Sequence, residues 1–495
     1  MKKYYIFLIS FALVLILASC GESQKPVATE TTTEEVPVTE VTDLSRSYAD
    51  ELFSENDFDG RVLHFVYMSE YYLGKDESEI TYDSEELSGD VLKEAVYQRT
   101  SRVEEGLNVG IETENRLASG FSQYVTQQVM AGDGSLDCVV QYKRYNSELA
   151  MTGVFYNLRN IPTLKLENAW WDQNFNALYS YVGNTRQYIA TGDMLYNDNY
   201  TSSALFFNQS IMDDLKIEYP YDDVRAGTWT LDRFYGMISE GNRDLDGNSV
   251  QDGNDQWGFS ANAGMLNNMM ACCRMTPVSF TTDGGFSLCF ETDADRYFSV
   301  GEKIWNIVSS PYNCKIESVL NDNYTLRTDL ISAGHFLFWD SAIGGTITLR
   351  SVSDYDFGIV PYPKYDETQE KYACLSSAWA STVAISGSAE KPEEIGTVLE
   401  AMAAVSVYEL TPVAIERQII VKAMRDEDSA EMLQLCFNNM VYDLLFDYGW
   451  GGYYEALCKQ NNDSSFTLSS MLTAQKSKIY ESLEKGINTY AELTD

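Results

Sequence analysis

Between residues 61 and 141 the chain alternates short apolar strands with amphipathic helices. This alternation limits the fold more than any other feature. RVLHFVYM at 61–68 reads as a strand. Residues 90–107 read as a helix with Val91, Leu92, Ala95, Val96, Val103 and Leu107 on one face. VGIE at 109–112 is a second strand. Residues 121–131 form a helix that stops at Gly132, and LDCVVQ at 136–141 is a buried strand. Parallel strands need a crossover of helical length, so a β-α-β-α-β order predicts an α/β lobe with largely parallel pairing.

A second constraint lies at residues 334–385. Two Trp-bearing apolar strands, HFLFWD and AWASTVAI, flank a PYPK turn and an acidic loop. Both are too continuously apolar for a surface strand. The stretch is expected to line a cleft and then cross between two lobes. With 495 residues, two or three domains are expected. Elsewhere, 198–208 reads as an extended apolar strand, and 211–215, 231–240, 297–308, 391–405, 430–442 and 469–488 read as helices. Thr230 is placed to cap the second of these, and 447–454 reads as an aromatic loop.

The chain carries 35 basic and 74 acidic residues, a formal charge of −39. Such a field repels phosphate backbones, so no nucleic-acid partner is expected, and neutral or cationic ligands are favoured. The N-terminus begins with Lys2 and Lys3, followed by a short apolar run to Leu17. This is the pattern of an export signal and is too short for a comfortable membrane span. Leu17-Ala18-Ser19-Cys20 looks like a bacterial lipobox. It implies removal of 1–19, a lipid on the Cys20 thiol and an extracellular, membrane-anchored location. Residues 20–47, rich in Glu, Thr, Val and Pro, read as a disordered acidic tether. The remaining eight cysteines are scattered through apolar segments rather than spaced as a framework. Buried thiols are expected, with a disulfide or two permitted.

Three internal segments, in order, resemble the bacterial extracellular solute-binding proteins of ABC importers, in the maltose-binding-protein-like carbohydrate branch. They are VMAGDGSLDCVV at 129–140, ALFFNQSIMDDLKIEYPYDDVRAGTWTLDRF at 204–234 and FGIVPYPK at 357–364. With the lipobox they span most of the chain. The resemblance implies a periplasmic-binding-protein-like type II fold, with two α/β lobes joined by hinge crossings. The lobes would be 48–205 with 383–414 and 206–382 with 415–495, with crossings near 200–207, 379–383 and 410–418. It also implies a non-catalytic monomer that needs no cofactor, takes a sugar or oligosaccharide between its lobes and docks on an ABC permease. A surface glycosidase or lyase, or a glycan-adhesion module, stands as the alternative, since 74 acidic residues supply many carboxylate pairs.

A sugar site needs aromatic faces beside planar polar groups. Trp339 with Asp340, Trp379, Trp171, and Trp450 with Tyr453 are therefore candidate ligand contacts. So are Tyr67, Glu70 and Tyr71 at the end of the first strand. Each tryptophan serves equally well as core; Trp229 reads as a wedge between helix and lobe. In residues 244–255, Asp244, Asp246, Asn248, Asp252 and Asp255 occupy calcium-loop positions 1, 3, 5, 9 and 12, which suits a structural Ca2+. Gly falls at position 4 rather than 6, so a solvated acidic turn is equally open. The only histidines, His64 and His335, lie in apolar runs and are expected in the core.

Overall fold

The computed structural model describes residues 38–68, 77–281, 285–315, 319–320, 323–424, 426–459 and 465–493. Cys20, Glu70 and Tyr71 lie outside the described residues. The strands are β1 (Arg61–Tyr67), β2 (Val109–Asn115), β3 (Cys138–Tyr142), β4 (Ser203–Asn208), β5 (Trp257–Ser260), β6 (Val278–Phe280), β7 (Phe286–Leu288), β8 (Phe336–Ala342), β9 (Phe357–Val360), β10 (Cys374–Leu375), β11 (Ser381–Ile385) and β12 (Met440–Val441). The helices that matter most to the site are α1 (Val38–Glu55), α2 (Val91–Leu107), α3 (Phe121–Ala131), α4 (Lys143–Ala150), α5 (Gln173–Tyr179) and α6 (Asn197–Thr201).

Two four-stranded sheets organise the molecule, in the orders β11-β3-β1-β2 and β5-β8-β4-β9. In the first, β1 runs parallel to β2 and β3, and β11 joins β3 antiparallel. In the second, β4 is antiparallel to β8 and β9, and β5 is parallel to β8. Local chemistry sets the helix ends. Asp90 Oδ1 accepts the Leu92 and Lys93 N–H groups at the start of α2, and Asn108 closes it in the left-handed region. Left-handed Gly120 and Gly132 bracket α3.

Side chains alternate across the first sheet. Leu63, Phe65, Ile111, Val140, Val383 and Ile385 face one core, shared with α2 and the helix Pro392–Glu409. Val66, Val139 and Ala384 face a second core with Phe121 and Val125 of α3. That second core continues without a break into the second sheet through Leu205, Phe207, Phe338 and Ile359. Each buried Phe or Leu there contributes roughly 1.5–3 kcal/mol. The two lobes thus meet along a broad apolar contact. Pro392–Ile420 is long and apolar enough to cross a membrane, but most of its apolar window is buried inside the protein, where the helix packs on α1 and α2.

The chain passes between the sheets three times. It leaves the first sheet through α6 into β4, returns from β9 through β10 to β11, and passes again beyond Glu409 along a π-helical stretch, Val413–Met424. The passages are tied together. Asn197 Nδ2 donates to Trp379 O (3.0 Å) and Ser381 Oγ (3.1 Å), and the Tyr200 hydroxyl donates to Ala414 O (3.1 Å).

Four expectations need correction. The tether reading fails at its end, because α1 begins at Val38 and buries Ser45 and Ala49. Residues 198–208 are not one strand: α6 comes first, and the chain turns extended at Ser202. The helix expected over 430–442 spans Glu427–Phe437 and gives way to β12. The stretch 447–454 is not a loop but the junction of short helices Leu444–Asp447, Trp450–Gly452 and Tyr453–Cys458.

Candidate ligand site between the two sheets

In open α/β sheets, ligands bind beyond the carboxyl ends of the strands. Here those ends are Tyr67 of β1, Tyr142 of β3, Ser260 of β5 and Ala342 of β8. Trp379, just before β11, sits at this junction. Its indole meets Tyr142 edge-on at 5.8 Å and Tyr145 at 5.9 Å, and it stays half-buried. Tyr67 is also half-buried; its carbonyl takes the Arg116 N–H.

The other described aromatic candidates are buried and engaged inside the protein. Trp339 (1% exposed) lies in β8 between Phe206 and Phe357, with Tyr355 at its edge. Trp171 and Trp170 each donate their indole N–H to Glu400, at 2.9 and 2.7 Å. Glu400 also accepts from Asn168 Nδ2 and Lys165 N, which anchors the whole 165–171 loop to the helix Pro392–Glu409. Trp450 stacks on Tyr448 at 4.2 Å and presses on Gly486, while the Tyr453 hydroxyl meets that of Tyr297 at 2.6 Å. None of these four offers an open ring face for a sugar in this conformation. Trp229 is a wedge as expected: fully buried, its N–H on Pro361 O.

Asp340 is also buried, with no exposed area. Its carboxylate accepts from Arg327 Nη2 (2.9 Å) and from the backbone N–H (2.9 Å) and side-chain amide of Asn262. It therefore shapes the turn after β5, where Asn262 remains half-buried. Asp340 holds the rim; Asn262 forms it.

A belt of buried polar groups crosses the junction, and the sequence reading did not anticipate it. Lys143, the first residue after β3, pairs with Asp447 at 3.1 Å with neither side chain exposed. The ammonium lies 4.5 Å from the Tyr442 ring centroid, and Tyr179 donates to Asp447 Oδ2 at 2.6 Å. Tyr442 in turn donates to Asp172 (2.6 Å). Burial pushes the Lys143 ammonium down and the Asp447 carboxyl up, each opposed by its partner. Tyr181, Tyr448 and Tyr490 add a hydroxyl chain of two 2.7 Å links. The available signal was Asp443 and Asp447 four apart in an apolar helix, together with a lysine directly after a buried strand.

In the acidic loop, Asp244, Asp246 and Asp255 bring one carboxylate oxygen each within 4.8 Å of one another. Asn248 and Asp252 lie outside this group; Asn248 Oδ1 accepts the Val250 N–H and Asp252 Oδ1 that of Asn254. Backbone N–H groups of Asp252 and Leu245 hold Asp255 below the usual carboxylate range. The histidine expectation fails for His64, which points outward from β1 beside Glu112 (3.4 Å). His335 is half-buried against Asp255 O. Cys138, Cys272, Cys273, Cys314, Cys374 and Cys436 are buried thiols.

No family model and no curated protein matches the sequence. Solved structures do. An ABC substrate-binding protein from Listeria monocytogenes, in complex with cycloalternan, superposes with a TM-score of 0.54 at 14% identity, covering 86% of this chain and 100% of that one. RafE from Streptococcus pneumoniae, in its apo form, gives 0.54 at 15%, covering 87% and 100%. The galacto-N-biose/lacto-N-biose I-binding protein of an ABC transporter from Bifidobacterium longum, in complex with lacto-N-biose, gives 0.54 at 12%, covering 87% and 99%. The chain has the two-lobed α/β fold of these ABC-transporter substrate-binding proteins.

Proposed function

We propose that the protein is the extracellular substrate-binding subunit of an ABC importer and takes a sugar or oligosaccharide between its two lobes. The observation that carries this reading is a half-buried indole, Trp379, at the carboxyl ends of the strands, in a fold shared with sugar-binding transporter components. Trp379 offers the ring, Asn262 and Tyr145 stand at the rim, and Tyr67 approaches from β1. Glu70 and Tyr71 follow Tyr67 in sequence and belong to the same proposed contact set. The subunit is non-catalytic and works as a monomer, delivering its ligand to permease subunits. Cys20 carries the lipid that holds it at the outer membrane face, and residues 1–19 are the export signal.

The test is ligand-induced stabilisation, because a ligand that binds only the folded form raises its melting temperature. Neutral oligosaccharides at saturating concentration should raise the Tm, and Trp379→Ala should weaken binding about tenfold or more without unfolding the protein. No shift with any neutral or amino sugar removes the reading. We further propose that Asp244, Asp246 and Asp255 hold a calcium ion, since three hard oxygens already converge. Millimolar calcium should raise the Tm of the wild type and leave Asp246→Ala unmoved; an unmoved wild type refutes the site.

A further inference from the structure

The junction between the lobes buries far more acid than base. Glu79, Asp172, Asp198, Asp443 and Asp447 are each 5% exposed or less, and among the described residues the buried cations at the junction are Arg99 and Lys143. Lys143 is taken by Asp447. Arg99, on α2, spends its donors on the Glu79, Ile80 and Met194 carbonyls and the Ser406 and Thr100 hydroxyls. No carboxylate of Glu79, Asp172, Asp198 or Asp443 lies within ion-pair distance of either cation.

Two of these acids sit where the lobes connect. Glu79 joins the passages: its Oε1 accepts the Asn197 N–H of α6 at 2.8 Å, and it lies beside the Ser381 hydroxyl at the start of β11. Asp443 starts the helix Leu444–Asp447 that meets α4 and uses Oδ1 to cap Leu445 and Phe446. Glu79 Oε2 and Asp443 Oδ2 are fully buried and make no hydrogen bond. A buried carboxylate oxygen without a donor is costly as an anion and is relieved by a proton.

We propose that closure of the two lobes is coupled to proton uptake at Glu79 and Asp443, so that acid favours the closed form and the lobes part as the pH rises. The groups around both acids agree in sign. Glu79 faces Arg99 on α2, Tyr196 and Asp198 on α6, and neutral Ser381 on β11. Asp443 faces Asp447 on its own helix, Lys143 on α4, Tyr453 and Tyr297 on neighbouring helices, and Asn267. Burial pushes both carboxyls up to about 7 in the closed form, and the Asp447 charge adds to the shift at Asp443. Opening returns them to water and the ordinary carboxylate range. Closure is therefore fully favoured below about pH 4 and loses favour as the pH climbs to about 7, with no further change above. The inference rests on the two-lobed fold and not on the identity of the ligand.

Small-angle scattering of the full chain without ligand tests it. The radius of gyration of the wild type should rise between pH 4.5 and 7.5 and then level off. Glu79→Gln combined with Asp443→Asn mimics the protonated forms and keeps the Asn197 and Leu445 contacts, so it should stay at the compact value throughout. A wild-type radius unchanged across this range overturns the proposal. So does a variant that expands with pH as the wild type does. If the double variant does not fold, Asp443→Asn alone should at least halve the pH response, and an undiminished response again overturns it.

Discussion

Single side chains decide what the candidate tryptophans can do. Glu400 accepts four hydrogen bonds from one loop, two of them from adjacent indoles. Glu400→Ala leaves those buried donors without a partner, at about 1–3 kcal/mol each before relaxation. A loss of about 3 kcal/mol or more in urea unfolding is expected; a loss below about 1 kcal/mol would mean that the 165–171 loop is held by something else. Asp340 poses a similar case. Asp340→Ala strands the buried Arg327 guanidinium and should cost about 3–5 kcal/mol, whereas Asp340→Asn keeps acceptors for Arg327 and should cost less. Equal losses for both would show that charge is not what holds the turn at Asn262.

Element by element, periodic segments were legible and short ones were not. The helix expected over 121–131 is α3 to the residue, because glycine at each end and a clear apolar stripe mark it. The helix over 231–240 is one residue longer, capped by Thr230 as expected. α6 was missed because five residues cannot show a helical period, and the strand after it shares its apolar character. The site was legible only in part. A tryptophan next to an acid looks the same in sequence whether it lines a groove or packs a sheet, and Trp339 packs a sheet. Lys143 and Asp447 are 304 positions apart, and no local pattern joins them. Close packing between elements is as hidden. A Cβ on Gly258 would lie 1.8 Å from Ile238 O, so β5 can approach the helix Leu231–Gly241 only through glycine. Gly258→Ala should lower the Tm by several degrees or prevent folding; a change within about 0.5 kcal/mol would contradict this packing.

For the whole molecule, the apolar contact and the Lys143–Asp447 pair bind the lobes more tightly than a loosely hinged pair requires. The buried acids also set the sign of stability against pH. Glu79 and Asp443 are raised to about 7 and Asp193 to about 6, all by burial. Folding strengthens their hold on protons, so their contribution is complete below about pH 4 and lost as the pH rises to about 7. Thermal unfolding of Glu79→Gln should show a smaller fall in Tm over that interval than the wild type.

The claim on which the rest depends is that a sugar binds between the lobes against Trp379. Calorimetric titration of the full chain with a panel of neutral oligosaccharides, run in parallel on the wild type and Trp379→Ala, tests it most directly. The account predicts saturable one-to-one binding of at least one sugar, weakened about tenfold or more in a variant that melts normally. Binding of equal strength in both proteins, or no heat from any sugar, would contradict it.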